Sequence, residues 1–457
     1  MLKHPKQTSD RIKQFIQFDL RERLIAQKVP LHIEFSPDPH KDAAEARRAS
    51  NWKPVNAGFR YGPAYRTVWF RLSGRIPREF AGEEVGVVAE VGSERTIWRG
   101  NSPWQGIDEP HNVCTLERPA KGGEKVLLYV QAYTRNPQHR VHRRELPREQ
   151  MVETVANAEL VVVDRELTDL YYDCEFAFDL MRAMPENDPA TATLMRALND
   201  TCNSYNAQHR ESIGRCRRIV REAFDGGEAQ TQHVITPVGH AHLDTAWLWP
   251  LEITHKKMAH TASTQLALME RYPEYVFVHS QASQYEWLEN EYPELFQRVK
   301  EAIKRGQWEP VGSMWVEADC NLTGNESLVR QFLYGRRYFR DKLDYQTHDM
   351  WLPDVFGYSA AIPQILSKFG IEYFLTQKIS WNQINKFPHN TFWWQGIDGS
   401  RVWTHFPPSD TYNGNCTPKE ILAGVANHKD HARSDESIYV FGFGDGGGGP
   451  TEKHSSF

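Results

Sequence analysis

The sequence predicts an α/β domain over residues 231–457, built as a parallel sheet or an irregular (β/α) barrel. Ahead of it the chain predicts an N-terminal helix and irregular segment (1–66), a β-sandwich (67–166) and a helical linker (167–230). Three observations carry this: short apolar runs alternating with long helical ones after residue 231, strand-like runs between 67 and 165, and helical periodicity from 167 to 225.

The first segment, DRIKQFIQFDLRERLIAQ, places Ile12, Phe15, Ile16 and Leu20 at helical spacing. The run to about residue 68, rich in Pro, Gly, Trp and charge, reads as irregular. From Thr67 the runs TVWFRLSGRIP, VGVVAEVG and KVLLYVQAYT are separated by Gly, Pro and Asp, and AELVVVDRE adds one more strand. Such a sandwich either binds substrate or supports its neighbour. Next come DLYYDCEFAFDLMRAM, a break at Pro185 and Pro189, and a helix with Ile213, Cys216, Val220 and Phe224 on one face. After 231, HVITPVGH, YVFVHS, WEPVGSMWVE and DMWLPDVFGYS are each followed by a helical stretch, and IEYFLTQ follows the last of these. A βαβα rhythm means parallel strands, whose C-terminal ends form the functional rim.

Composition narrows the classes. A formal net charge of −5 with scattered basic residues excludes an electrostatic footprint for nucleic acid or anionic membrane. No run approaches a transmembrane length, and the opening MLKHPKQTSDRIKQF is charged where a signal peptide is apolar. Six dispersed cysteines without a CxxC pair read as buried thiols of a reducing compartment. The expected location is the cytoplasm, with the vacuole by a non-secretory route left open, as is a homo-oligomer.

The chemistry gathers at the rim. In VITPVGHAHLDTAWLWP, residues 234–250, strand alternation lets His240, His242 and Asp244 point one way. Imidazole with carboxylate makes a metal half-site, zinc being the usual choice and cobalt or calcium the other candidates. Asp354 in WLPDVFGYS ends another strand and supplies a third ligand or a nucleophile. Asp445, inside the glycine run of YVFGFGDGGGGPT, is a candidate general acid that pairs with Asp354 across a scissile glycosidic bond. Among rim aromatics, Trp247 is placed under a bound ring, and Lys378, Asp410 and Tyr412 are candidate contacts to hydroxyls. The structural alternatives are a solvated strand end for His242 and Asp244, a helix cap for Asp354 and a linker for the glycines.

The segments HAHLDTAWLWP, SQASQYEWLENEYPELF, GQWEPVGSMWVEADCNLTGNESLVRQ, WLPDVFGYSAAIPQIL and FGFGDGGGGPT together resemble glycoside hydrolase family 38, the α-mannosidases, in the branch of cytosolic, vacuolar and bacterial enzymes. The resemblance implies a retaining, zinc-dependent hydrolase releasing terminal α-linked mannose from mannose-containing oligosaccharides. It implies zinc ligation by His242, Asp244 and Asp354, with Asp354 also the nucleophile and Asp445 the acid/base. It further implies Trp247 stacking on the sugar, Lys378 lining the pocket and His240 orienting a ligand. Family members continue into further domains that supply a fourth, histidine ligand, so the chain is expected to be the N-terminal portion. The competing readings are a metal-dependent amide or ester hydrolase, and an inactive truncated carbohydrate-binding protein.

Overall fold

The computed structural model describes residues 3–134, 152–225 and 233–455. Two antiparallel sheets form the sandwich. One, four-stranded, orders Ile25–Pro30, Asn157–Val163, Val85–Glu90 and Cys114–Glu117. The other, six-stranded, orders Lys53–Val55, His32–Ser36, Thr67–Arg75, Lys125–Tyr133, Glu94–Arg99 and Ser102–Ile107. The stretch before residue 67, expected to be irregular, therefore contributes three sandwich strands. Ile25–Pro30 pairs antiparallel with Asn157–Val163, and His32–Ser36 with Thr67–Arg75.

Alternation explains how the six-stranded sheet is used. Val68, Phe70 and Leu72, with Val126, Leu128, Val130 and Ala132, enter the sandwich core. The opposite face sends Trp69, Trp98, Tyr129 and Tyr133 into a second core with Trp249, Ile253 and Met258 of the following domain. A sheet buried on both faces reads as a continuous apolar run, as TVWF and VLLYV do. The sandwich thus supports the neighbouring domain directly.

The N-terminal helix Pro5–Gln14 and the wider helical turn Phe15–Leu20 bury Ile12, Phe15, Ile16 and Leu20. They pack on Arg165–Ala183, Pro189–Ser204 and Glu211–Asp225, in one core with Leu170, Cys174, Leu198, Ile213, Cys216 and Val220. Phe224, expected on that face, is part-exposed instead.

The third domain has two parallel arcs. Trp308–Pro310, Phe277–His279, Val234–His240 and Glu436–Phe441 form one. Asp349–Leu352, Tyr373–Thr376 and Arg401–His405 form the other, with Thr391–Gln395 added antiparallel. Hydrogen bonds join the arcs at both edges: Gly312 N–H donates to Asp349 Oδ2 (2.9 Å), and Ile438 N–H to His405 Nε2 (3.3 Å). Val278, Val311, Trp351, Leu375 and Val440 meet inside, with Val238 and Ile438 against them. This is the irregular barrel expected from the βαβα rhythm. All six cysteines are free thiols. Among the described residues no helix is long and apolar enough to cross a membrane.

Candidate active site

The strand Val234–His240 delivers His242 and Asp244 to the rim, and the strand Asp349–Leu352 delivers Asp354. Asp445 follows Glu436–Phe441 and is stitched to the first strand end: Asp244 N–H donates to the Asp445 carbonyl (2.9 Å), beside a Leu243–Gly446 bridge. Ligand atoms of His242, Asp244, Asp354 and Asp445 all lie within 4.8 Å of one another.

His242 is the hub. Its Nε2 lies 3.4 Å from Asp244 Oδ1 and 3.3 Å from Asp354 Oδ2, and its Nδ1 lies 3.2 Å from Glu317 Oε2. Burial lowers the His242 pKa, but the Glu317 charge and the contacts with Asp244 and Asp354 raise it well above the usual histidine value. Burial also raises Asp354, yet His242 and Lys378 overcome it and hold that carboxyl at about 2. Asp244 is the opposite case: its burial outweighs His242 and pushes its pKa up.

Lys378 Nζ lies 2.7 Å from Asp354 Oδ1 and sits over the rings of Trp381 (3.9 Å), Tyr412 (4.9 Å) and Phe356 (5.2 Å). A cation surrounded by π-faces and a carboxylate has little freedom to leave. Tyr412 is buried, its ring 5.0 Å from that of His242, and its hydroxyl donates to Asp445 Oδ1 (2.8 Å). Burial first, then Asp445 and Asp354, keep that hydroxyl protonated far above the ordinary tyrosine range.

The other candidates are placed as follows. Trp247 is half exposed and edge-on to the buried Trp249. The Asp410 carbonyl accepts from Gln377 Nε2 (2.7 Å), while its carboxyl is not one of the four converging groups. His240 is fully buried against Trp351 (5.6 Å between centroids), and it too stands outside that group, because the strand ends at residue 240 and alternation stops there.

Sequence reasoning did not single out Glu317 or Gln281, although both lie in segments that carry the family resemblance. Gln281 braces three loops: its Nε2 donates to the Leu243 carbonyl (2.8 Å), and its Oε1 accepts from Thr245 Oγ1 (2.7 Å) and Glu317 N–H (3.2 Å). Ala246, Gln281, Ser313, Asp410 and Asp445 all hold positive φ, between 52° and 77°. Such conformations persist in non-glycine residues where the surroundings over-determine them, and functional rims are where they gather.

Residues 232–457 match the glycosyl hydrolases family 38 N-terminal domain, and residues 27–161 match the jelly roll domain of alpha-mannosidase. The chain is 36% identical to alpha-mannosidase 2C1 of Homo sapiens over 99% of this chain and 45% of that protein. It is 35% identical to alpha-mannosidase G of Dictyostelium discoideum over 99% of this chain and 43% of that protein. Among solved structures it is similar to an alpha-mannosidase from Enterococcus faecalis V583, with a TM-score of 0.42 and 19% identity over 49% of this chain and 26% of that one. The chain thus spans less than half the length of the curated relatives it matches. These two matches together cover most of the chain, which belongs to glycoside hydrolase family 38.

Proposed function

We propose that the chain is the catalytic portion of a zinc-dependent, retaining α-mannosidase that releases terminal α-linked mannose from oligosaccharides. The observation carrying this is the convergence of His242, Asp244, Asp354 and Asp445 within 4.8 Å at the C-terminal rim of the barrel. The donors fit a zinc-class ion: ligands on bonds of about 2.0–2.1 Å in a tetrahedron stand roughly 3.3 Å apart, close to the 3.4 and 3.3 Å around His242 Nε2. His242, Asp244 and Asp354 would hold the ion. When bound, it supplies a charge that the cis C2 and C3 hydroxyls of mannose can both reach, favouring a flattened ring.

The chain's own groups account for the rest. Asp354, kept ionised and pinned by Lys378, is positioned to attack the anomeric carbon. Asp445, oriented by the Tyr412 hydroxyl, gives its proton to the departing oxygen and then takes one from the water that cleaves the glycosyl ester on Asp354. Retention needs carboxyl groups about 5 Å apart, and oxygens of these two lie within 4.8 Å. A second reading, favoured by the same proximity, makes Asp445 a fourth ligand; Asp445→Asn would then lose bound metal instead of only the proton transfer. The six unpaired thiols support a reducing, cytoplasmic setting.

The test is Asp354→Asn assayed on an aryl α-mannoside, in this chain and in one extended to the length of its relatives. Turnover is expected to disappear while circular dichroism is unchanged; undiminished turnover rejects the nucleophile. Release of mannose, as opposed to an amine or a carboxylic acid, separates this reading from an amide or ester hydrolase.

A further inference from the structure

A second cluster lies at the other end of the barrel. His233 immediately precedes the strand Val234–His240, whose far end leads to His242. His428 ends the helix Pro418–Asn427, and His431 follows it, ahead of the neighbouring parallel strand Glu436–Phe441. One ligand atom from each of the three lies within 4.8 Å of the others. The ring centroids stand 4.9 Å (His233 and His428), 5.1 Å (His428 and His431) and 5.9 Å (His233 and His431) apart.

His428 makes this arrangement informative. It is 2% exposed, and among the described residues neither of its ring nitrogens has a hydrogen-bond partner. Buried polar atoms in native proteins are satisfied by protein, by water or by an ion. Asp430, on the same loop, is committed elsewhere, since it accepts from His389 Nδ1 (2.8 Å) and from the backbone N–H groups of Asn390 (2.7 Å) and Thr391 (3.1 Å). His233 Nε2 shares a hydrogen bond with Ser437 Oγ (2.9 Å), which orients that ring as outer partners orient metal-bound imidazoles.

We propose that His233, His428 and His431 form a second metal site, for a divalent cation of the zinc class, with solvent completing the coordination beside the exposed His431. Three imidazoles without thiolates suit zinc, copper or nickel and disfavour magnesium or calcium. The ion would clip the loop after Pro418–Asn427 to the start of the first barrel strand, joining segments far apart in sequence. It would do so without contributing to the carboxylate cluster at the opposite rim.

The experiment first silences that rim cluster with His242→Asn and Asp244→Asn, then measures zinc bound after equilibrium dialysis at neutral pH. This chain is expected to retain about one equivalent, and adding His431→Ala, an exposed change, is expected to release it. His428→Gln should do the same, with folding checked by circular dichroism. No zinc on the rim-silenced chain, or zinc undiminished by His431→Ala, overturns the proposal. Should the rim changes unfold the protein, the unaltered chain is expected to bind about two equivalents and His431→Ala one fewer; a content that His431→Ala leaves unchanged overturns it equally.

Discussion

Lys378 shows how one side chain can hold a carboxylate in place. It is buried, caged by Trp381, Tyr412 and Phe356, and its ammonium touches Asp354 Oδ1. Truncating one partner of such a desolvated pair costs about 2–5 kcal/mol, and each ~1.4 kcal/mol is tenfold in rate. Lys378→Met is therefore expected to lower kcat/KM on an aryl α-mannoside by about 10²-fold, while circular dichroism stays the same. A variant as active as the parent contradicts the assignment. The four converging residues were legible because each follows an apolar strand run that could be read directly. Glu317 was not, since its contact with His242 depends on a loop braced by Gln281 and held at an unusual φ, and nothing in the spacing of SMWVEAD encodes that.

Among elements, the seam between the two arcs carries a pH signature. Asp349 accepts from Gly312 N–H (2.9 Å), and burial pushes its carboxyl from 3.8 up to about 7 against the pull of that hydrogen bond. The native state thus keeps a proton that the unfolded chain has already lost, so this group makes stability fall as pH rises from about 4 to about 7. Above that window the charged, buried carboxylate is fully unfavourable. Asp349→Asn keeps an acceptor and removes the charge, so its stability relative to the parent, from urea unfolding, is expected to be greater at about pH 8 than at about pH 5. A difference equal at both contradicts the buried-acid account. Of the strands missed in the sequence, Ile25–Pro30 is instructive: it alternates poorly, is largely exposed and finds its partner at Asn157–Val163. Local periodicity cannot reveal a pairing made across the whole domain. The glycine run was legible for the opposite reason, because its demand is local. Gly447, Gly448 and Gly449 hold φ of 78°, 97° and 75°, and a Cβ at Gly447 would stand 2.4 Å from Thr261 Oγ1.

Over the whole molecule, the sandwich and the barrel share one core, which is closed by a buried ion pair. Lys257 Nζ lies 2.8 and 2.6 Å from the two carboxylate oxygens of Glu94 and 4.3 Å from the Trp249 ring, with its side chain 4% exposed. Removing one member of such a pair costs about 3–5 kcal/mol, because the other charge is left buried. Glu94→Ala is expected to destabilise sandwich and barrel together by that order, as one shifted urea transition; a loss below about 1 kcal/mol contradicts it. The order of domains was legible from changes in sequence period. Their mutual support was legible only as one of two alternatives, because the aromatic residues that carry it sit on the same strands that fill the sandwich.

In the proposed chemistry Asp354 bonds to the sugar while Asp445 serves the proton. This is tested most directly by inactivating the active, length-extended protein with a fluorinated mannosyl fluoride and locating the label by peptide mass spectrometry. The label is expected on Asp354. A label on Asp445, or hydrolysis without any covalent adduct, would contradict it.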